Sequence, residues 1–296
     1  MDYINQSFVK KIRLPAKNSH KGQNGKLMIV GGSKLFHGAS LWALTIASRI
    51  VDMVYYASVI ENQKLIEHLE KNLYAFINVP QGREADYLSQ ADAVLIGPGM
   101  VRGEANFSGT GENGEQTRQK TLKLMKQFPE KKWVIDAGAL QVLTPKDLLL
   151  LREKIITPHQ REFEDFFKQE LRTLNLEPRG NTTPSEEIID LVKHKAQEIN
   201  ATIVLKGQID ILALPDSQVL LNQTGNEGMT KGGTGDVLAG LIAALACTND
   251  LCTAAAAGTY INGLAGDELY KKVGPFFSAD DLARKVPEVL WKQINS

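Results

Sequence analysis

The sequence Thr224-Gly-Asn-Glu-Gly-Met-Thr-Lys-Gly-Gly-Thr-Gly-Asp236 leads directly into an apolar helical pattern at residues 237–247. Its glycines remove side chains from the backbone where a helix begins, which leaves N–H groups free to face an anion. We therefore predict an α/β protein with a phosphate or oxyanion site here, in which the N–H groups around Gly233, Thr234 and Gly235 stabilise negative charge.

Asp236 is the unexpected residue of this stretch, because a carboxylate repels a bound phosphate. Its position is explained if it accepts a proton from a hydroxyl group that attacks the phosphate. The alternative is that Asp236 only caps the helix and that the glycines only allow tight packing. Since a helix cap does not require so many glycines, we favour the catalytic interpretation.

Two familiar nucleotide-binding motifs do not account for this pattern. The sequence has no Gly-x4-Gly-Lys-Ser/Thr segment, which excludes the P-loop class. Gly97-Pro98-Gly99 follows an apolar strand, but Gly103 comes one residue too late for a dinucleotide fingerprint. We expect instead that the backbone at Gly97 and Gly99 approaches a ligand at the strand end.

Further candidate residues follow the ends of predicted strands. Asp136 would hold a substrate hydroxyl or a metal-bound water, or it caps a turn. His159 and Glu162 stand three residues apart at a helix start; we prefer substrate contact for His159 and ordering of water or Mg²⁺ near phosphate for Glu162. Lys206 would reach a nucleotide phosphate, or it is a solvated lysine at a strand end.

Segments of small residues leave room for a ligand in two further places. Gly207 allows a base or ribose to pack on the backbone of Gln208, Ile209 and Asp210. His37-Gly-Ala-Ser40 opens a helix in the same way, although packing alone explains its small residues equally well.

The rest of the chain alternates short apolar runs with helical patterns, which predicts a mostly parallel sheet covered by helices on both faces. The predicted strands are residues 26–30, 53–57, 75–79, 91–97, 133–136, 154–158 and 202–207. Helices are predicted at 39–51 and 185–199, the second opened by a capping box from Thr183 with Pro184 at the first helical position. Residues 210–215 and 218–222 form a predicted hairpin, which adds an antiparallel portion.

No linker or repeat divides residues 1–296, so we predict one domain with a leader segment at residues 1–24. Segments 102–120 and 174–183 are predicted to be mobile, the first as a flap over a ligand site or as a disordered insertion.

The charge balance excludes several partners, because 34 Lys+Arg residues offset 34 Asp+Glu residues. Without a basic excess, neither nucleic acid nor an anionic membrane is an expected partner. The longest apolar run, residues 237–247, is too short to cross a bilayer, and the first twenty residues lack a signal-peptide core. We expect a cytoplasmic protein in which Cys247 and Cys252 are reduced core thiols.

Seven segments together resemble the ADP-dependent (S)-NAD(P)H-hydrate dehydratase family over residues 25–290. They are GKLMIVGGS, HGAS, AVLIGPGM, VIDAGAL, TPHQREF, TIVLKGQID and TGNEGMTKGGTGDVLAG. The resemblance implies a ribokinase-like three-layer α/β/α sandwich without a lid domain. It also implies that NADH or NADPH hydrated at C6 in the S form is dehydrated while ADP, or ATP in eukaryotic members, is consumed with Mg²⁺. A homotetramer and a separate epimerase for the R form are implied as well.

The resemblance assigns roles by motif. Ala39, Gly99, His159 and Asp236 are expected to contact the hydrated cofactor. Lys206, Gly207, Gln208, Ile209, Asp210 and Gly235 are expected to contact the nucleotide. The sequence departs from the family at Gly138, where an acid is frequent, and at Glu227, where proline is usual. Asp136 is then the one carboxylate expected at its strand end.

Two other functions remain open at this stage. One is a small-molecule kinase of the same superfamily acting on a vitamin alcohol, which would leave a stable phosphorylated product. The other is a nucleotide-binding protein without turnover.

Overall fold

The computed structural model of the protein describes residues 2–69, 75–103, 113–171 and 184–296. Within these residues the strands form one ten-stranded sheet. They are β1 (Asp2–Tyr3), β2 (Lys26–Val30), β3 (Met53–Ala57), β4 (Ile77–Asn78), β5 (Ala93–Ile96), β6 (Lys132–Ile135), β7 (Glu153–Ile156), β8 (Thr202–Leu205), β9 (Asp210–Ala213) and β10 (Val219–Asn222).

The order of the strands is β1-β10-β9-β8-β7-β6-β5-β2-β3-β4. Strands β2 to β8 are parallel to one another, whereas β9 is antiparallel to both β8 and β10. The predicted hairpin is thus confirmed, with Leu212 opposite Leu220. Because the chain first builds outward from β2 to β4 and then returns to β5, the sheet has a topological switch point between β2 and β5. Ligands of open α/β sheets bind beyond the carboxyl ends of the strands at such a point.

Helices cover both faces of this sheet. They are α1 (Gln6–Val9), α2 (His37–Ala47), α3 (Ile60–Leu69), α4 (Glu84–Leu88), α5 (Gly114–Gln127), α6 (Ala137–Val142), α7 (Pro145–Leu148), α8 (Gln160–Phe167), α9 (Glu186–Glu198), α10 (Thr234–Ala246), α11 (Leu251–Val273) and α12 (Ala279–Asn295).

Alternate residues of each central strand enter two separate apolar cores. In β2, Leu27 and Ile29 pack with α2, α10, α11 and α12, while Met28 and Val30 pack with α5, α6, α8 and α9. Successive side chains of a strand point to opposite faces, so a strand buried on both faces has a continuous apolar sequence. This confirms the predicted three-layer α/β/α sandwich with a mainly parallel sheet.

Several predicted boundaries were wrong. Strand β4 contains only two residues of the predicted 75–79, and α2 ends at Ala47 rather than residue 51. The capping-box prediction for α9 was also wrong. Ser185 is the N-cap, its hydroxyl accepts a hydrogen bond from the Ile188 N–H, and Pro184 precedes the cap. A hydroxyl at the cap satisfies an otherwise unpaired N–H group of the first turn.

The prediction that residues 102–120 form a mobile segment was partly wrong. Its second half is the start of α5, which opens with a reciprocal capping box between Asn113 and Gln116. Residues 104–112 and the whole of the predicted mobile segment 174–183 lie outside the described residues. Within the described residues, no helix is long and apolar enough to span a membrane. Cys247 and Cys252 are free and half-buried against the core.

Candidate functional site

Four predicted residues meet beyond the carboxyl ends of β6, β7 and β8. Lys206 Nζ lies 3.2 Å from Asp136 Oδ1 and 3.9 Å from Glu162 Oε2. His159 lies beside Lys206 because the two residues extend the β7–β8 pairing by one parallel bridge. Burial by itself lowers the pKa of Lys206, but attraction to Asp136, Glu162 and Asp236 outweighs it and raises the pKa overall. Lys206 is therefore a fixed positive charge at this site.

Asp236 lies in the first turn of α10, next to this cluster. Burial raises its pKa to about 7, repulsion from Asp136 adds to the rise, and attraction to Lys206 opposes it. A helix start by itself favours the carboxylate form, so burial and the neighbouring carboxylates dominate here. A group with a pKa near 7 exchanges a proton readily at neutral pH, which is the property a general base requires.

The turn before Asp236 is built on Gly233. This residue is the N-cap of α10 and has φ +98°, in the left-handed region. A Cβ there would also lie 2.5 Å from Trp42 Cε3 and 2.7 Å from Ala279 Cβ. Thr234 Oγ1 lies 2.7 Å from the carbonyl oxygen of Met229 and 2.9 Å from that of Lys231, so this hydroxyl holds the turn closed.

Gly235 brings the helix start close to Lys206, since a Cβ at Gly235 would lie 3.5 Å from Lys206 Nζ. The first N–H groups of an α-helix have no partner within the helix. An ammonium group and a helix start thus face the same space, which suits the phosphates of a ligand.

A cavity of about 580 Å³ opens beside this turn. All six predicted nucleotide-contacting residues line it, from Lys206 to Asp210 together with Gly235. Its other walls are formed by Gln223, Thr224, Gly225, Asn226, Glu227, Met229, Thr230, Thr234, Leu238, Thr259, Asn262 and Gly263. Burial raises the pKa of Asp210 to about 6, while its carboxylate accepts hydrogen bonds from Gly207 N (2.9 Å) and Asn222 Nδ2 (3.0 Å).

Asp267 on α11 supports the opposite wall, and the sequence reasoning missed it. Its carboxylate accepts hydrogen bonds from Gly225 N at 3.1 Å and from Asn226 Nδ2 at 2.9 Å. Asn226 Oδ1 in turn accepts from Gly228 N at 3.0 Å. Gly263, four residues before Asp267, packs so closely on the same wall that a Cβ on Gly263 would lie 2.1 Å from the Thr224 hydroxyl oxygen. The sequence carries no local signal for either contact.

The two predicted substrate residues Ala39 and Gly99 lie together at the switch point. Gly99 has φ +72°, and a Cβ there would lie 2.1 Å from the carbonyl oxygen of Phe36 and 3.2 Å from Ala39 Cβ. Gly97 packs on the carbonyl oxygen of Asp136. The turn that contains both glycines therefore connects the Asp136 cluster with the start of α2.

His159 and Glu162 form the reciprocal cap of α8. His159 Nδ1 accepts from Glu162 N at 3.2 Å, and Glu162 Oε2 accepts from His159 N at 2.9 Å. Glu162 Oε1 accepts from Gln141 Nε2 at 2.7 Å. His159 is half-exposed, so its ring remains accessible to a ligand.

The carboxylates of Asp136 and Glu162 suit Mg²⁺ only if water and phosphate oxygens supply its other ligands. Within the described ranges, no three His, Cys, Asp or Glu residues are grouped to hold a metal ion by themselves. Mg²⁺ commonly takes one or two carboxylates and completes its shell with water and phosphate oxygens. Asp136 and Glu162 fit this arrangement beside a bound phosphate; the role of Glu162 in ordering water or Mg²⁺ near phosphate stays a prediction.

The two departures from the family pattern have local explanations. A Cβ at Gly138 would lie 2.0 Å from the carbonyl oxygen of Met100, so this backbone leaves no space for an acidic side chain. Glu227 is the first residue of a short 3₁₀ helix (Glu227–Thr230), and its carboxylate accepts a hydrogen bond from the Tyr270 hydroxyl.

The α/β/α sandwich, the glycine-rich start of α10 and the buried Asp236 beside Lys206 define a protein of ribokinase-like fold with a candidate nucleotide site. A ribokinase-like superfamily protein of Enterococcus faecalis has the same fold, with a TM-score of 0.81 at 21% identity over 100% of this chain and 97% of that one.

The chain belongs to the NAD(P)H-hydrate dehydratase family, whose sequence model matches residues 27–288. It is 31% identical to the ADP-dependent (S)-NAD(P)H-hydrate dehydratase of Nitrosopumilus maritimus over 97% of this chain and 96% of that protein. It is 36% identical to the bifunctional NAD(P)H-hydrate repair enzyme of Methanocaldococcus jannaschii over 95% of this chain and 51% of that protein.

The chain spans about half the length of the first curated relatives it matches. A solved structure that resembles this chain is the ADP/ATP-dependent NAD(P)H-hydrate dehydratase of Bacillus subtilis, co-crystallised with ATP and Mg²⁺. It aligns with a TM-score of 0.75 and 25% identity, over 99% of this chain and 98% of that one.

Proposed function

We propose that this protein dehydrates the S form of NADH or NADPH hydrated at C6, and that it consumes ADP, which becomes AMP and phosphate. The observation that carries the proposal is Asp236, a carboxylate with its pKa raised to about 7 beside a lysine and a helix start. Family membership and the curated relatives support this substrate.

In the first step Asp236 accepts the proton of the C6 hydroxyl, and the hydroxyl oxygen attacks the β-phosphorus of ADP. The bond from that phosphorus to the bridging oxygen breaks, and AMP leaves with the oxygen. Lys206 and the N–H groups around Gly235 face the space where negative charge develops, and they are already oriented before the reaction. Preorganised donors of this kind cost no reorganisation in the transition state.

In the second step the ring nitrogen of the phosphorylated intermediate expels phosphate from C6, and a proton leaves C5 to water, which restores the dihydropyridine ring. Ala39 and Gly99 would hold the nicotinamide end, with His159 contacting the substrate from the β7 side. Mg²⁺, when bound with the nucleotide, would neutralise phosphate charge beside Asp136 and Glu162.

The partners follow from the same proposal. Relatives named as bifunctional repair enzymes are about twice as long as the part this chain matches. We propose that this chain works with an epimerase that converts the R form of the hydrate into the S form, and that it assembles as a homotetramer.

The deciding experiment mixes the purified protein with ADP, Mg²⁺ and hydrated NADH. The expected results are a rise in the near-ultraviolet absorbance of NADH and release of inorganic phosphate that requires the hydrate. A stable phosphorylated product would instead identify a kinase. Nucleotide binding without any product would identify a protein that lacks turnover.

A further inference from the structure

Asn262 on α11 has a buried side-chain oxygen that makes no hydrogen bond with the described residues. The residue is 4% exposed, its Oδ1 makes no hydrogen bond within the described residues, and it lies in the wall of the 580 Å³ cavity. Leaving a buried amide unpaired is costly, and native proteins rarely do so unless water or a ligand completes the bonding. Asn262 therefore has hydrogen-bonding capacity that the described residues do not use, and the residue lies at the cavity wall.

The pairing of α10 with α11 shows which part of the cavity Asn262 reaches. The two helices are joined by residues 247–250 and run antiparallel, with Gly258 packed against Ile242. From the contact between Gly258 and Ile242, one turn back along α10 leads to Leu238, and one turn forward along α11 leads to Asn262. These two residues therefore lie at the same level. Leu238 lies three residues into the helix from Gly235, a rise of about 5 Å. Asn262 is thus one turn away from the predicted phosphate-binding turn.

The surroundings of Asn262 suit a flat, mostly apolar group with polar edges. Leu238 and Met229 supply apolar surface, and Thr259 lines the same wall with its hydroxyl hydrogen donated to the Ala255 carbonyl at 2.8 Å. Lys206, the cation of the site, lies beside Gly235, about one turn of α10 from Leu238. A side-chain amide offers a donor and an acceptor together, which matches the edge of a purine base.

We propose that Asn262 recognises the base of the nucleotide co-substrate through its side-chain amide, which makes it a specificity-determining residue. This inference rests on the proposed function, since it assumes that the cavity holds a nucleoside diphosphate. The oxygen and nitrogen of the amide can exchange positions, so either an acceptor or a donor can be turned toward the cavity.

Calorimetric titration of the full chain with ADP tests the proposal without relying on turnover. Asn262→Ala is expected to weaken ADP binding by at least about tenfold, the scale of a lost buried hydrogen bond to a ligand. Asn78→Ala is the matched control, because Asn78 Oδ1 is also buried without a hydrogen-bond partner in the described part of the chain but lies in β4 at the far edge of the sheet. Its ADP affinity is expected to stay within about twofold of wild type.

Two ADP analogues identify the group that Asn262 contacts. The loss caused by Asn262→Ala is expected to be the same for 2′-deoxy-ADP and smaller for purine riboside diphosphate, which lacks the amino group of adenine. A loss that disappears with 2′-deoxy-ADP would assign Asn262 to the ribose and overturn the proposal.

The Asn262→Leu variant distinguishes the loss of a ligand contact from a loss of protein stability. Leucine has a similar size and leaves no unpaired amide, so the ligand-free variant is expected to melt at or above the wild-type temperature while ADP binds more weakly. A purely structural asparagine would not give these opposite effects. If wild type binds ADP and both variants bind it equally well, this inference fails and the proposed function stands. If wild type binds no nucleotide, both fail.

Discussion

The surroundings of Asp236 determine the pH range in which its carboxyl group can act as a general base. Because the pKa is raised to about 7 and the reaction requires the carboxylate, kcat/KM is expected to fall as the pH drops through about 7. Asp236→Asn is expected to lower kcat by about 10² or more, the scale of a lost general base, with ADP affinity within about tenfold of wild type. Steady-state kinetics from pH 5.5 to 8.5 at saturating ADP measures the pH profile and kcat, and calorimetric titration with ADP measures the affinity; unchanged turnover in the variant would remove Asp236 from the mechanism.

The same raised pKa has a consequence for stability that needs no substrate. The folded-state pKa of Asp236 lies above its ordinary value of 3.8, so the native protein binds this proton more tightly than the unfolded chain. Stability from this group is therefore present at low pH and is lost as pH rises from about 4 through about 7. Asp236→Asn resembles the protonated form, so its melting temperature should exceed that of wild type at pH 8 and match it more closely at pH 5.

Gly138 provides a second prediction at this scale. Gly138→Ala places a Cβ 2.0 Å from the backbone carbonyl oxygen of Met100. This contact forces apart the turn that follows β5 and the segment that follows β6. We expect a loss of about 1–3 kcal/mol in the free energy of unfolding, as for other overpacked sites. Gly103→Ala is the matched control, because a Cβ there meets no atom within 4 Å and Gly103 has no positive φ. Urea denaturation of both variants tests this; equal midpoints would show that the turn yields easily.

The sequence predicts a functional residue where the residue type conflicts with the pattern of the residues around it. Asp236 stands out as an acid at an anion-binding helix start, and Lys206 stands out at the end of an apolar strand. Asp267 and Asn262 could not be found this way, because a polar residue inside a helix has the same local appearance whether it faces water or a cavity. The packing of α11 against residues 224–226 is what places Asp267 behind the cavity wall and Asn262 in it.

At the scale of elements, α11 is the support for one wall of the cavity. Asp267→Asn removes the charge from the acceptor of the Gly225 and Asn226 N–H groups. Hydrogen bonds to a charged group contribute about 1.5–3 kcal/mol, so we expect KM for ADP to rise by roughly tenfold or more, with a smaller effect on kcat. Glu268→Gln is the control, because Glu268 pairs with Lys285 and Lys292 instead of this wall. An equal rise in KM in both variants would mean that α11 acts only through its overall stability.

The elements themselves were predictable where both periodicity and length were clear. The continuous apolar runs of β2, β3 and β5 to β8 predicted buried parallel strands, since helices cover both of their faces. Strand β4 was overestimated because it is an edge strand, where fewer residues pair than the apolar run suggests. The start of α5 was missed because glycines and polar residues at 102–120 hide a cap that depends on the side chain of Asn113.

At the scale of the whole molecule, the order of the strands brings distant segments to one site. The switch point between β2 and β5 sets Ala39 and Gly99 together, while the later strands bring Asp136, His159 and Lys206 beside the start of α10. A protein with no net charge therefore obtains its attraction for phosphate locally, from one lysine and one helix start. Such attraction acts over a few ångströms and does not require a basic surface.

This local design leads to a prediction about metal dependence. Since no three His, Cys, Asp or Glu residues in the described part of the chain are placed to hold an ion, Mg²⁺ alone is expected to leave the melting temperature unchanged. ADP should raise it, because a ligand at about 100 times its Kd stabilises the native state by about 2.7 kcal/mol, and Mg²⁺ with ADP should raise it further. Replacing Lys206 by Ala should reduce the shift with ADP, since the phosphates lose their fixed cation. Scanning calorimetry with each addition measures these shifts, and a shift with Mg²⁺ alone would show that the chain has a metal site of its own.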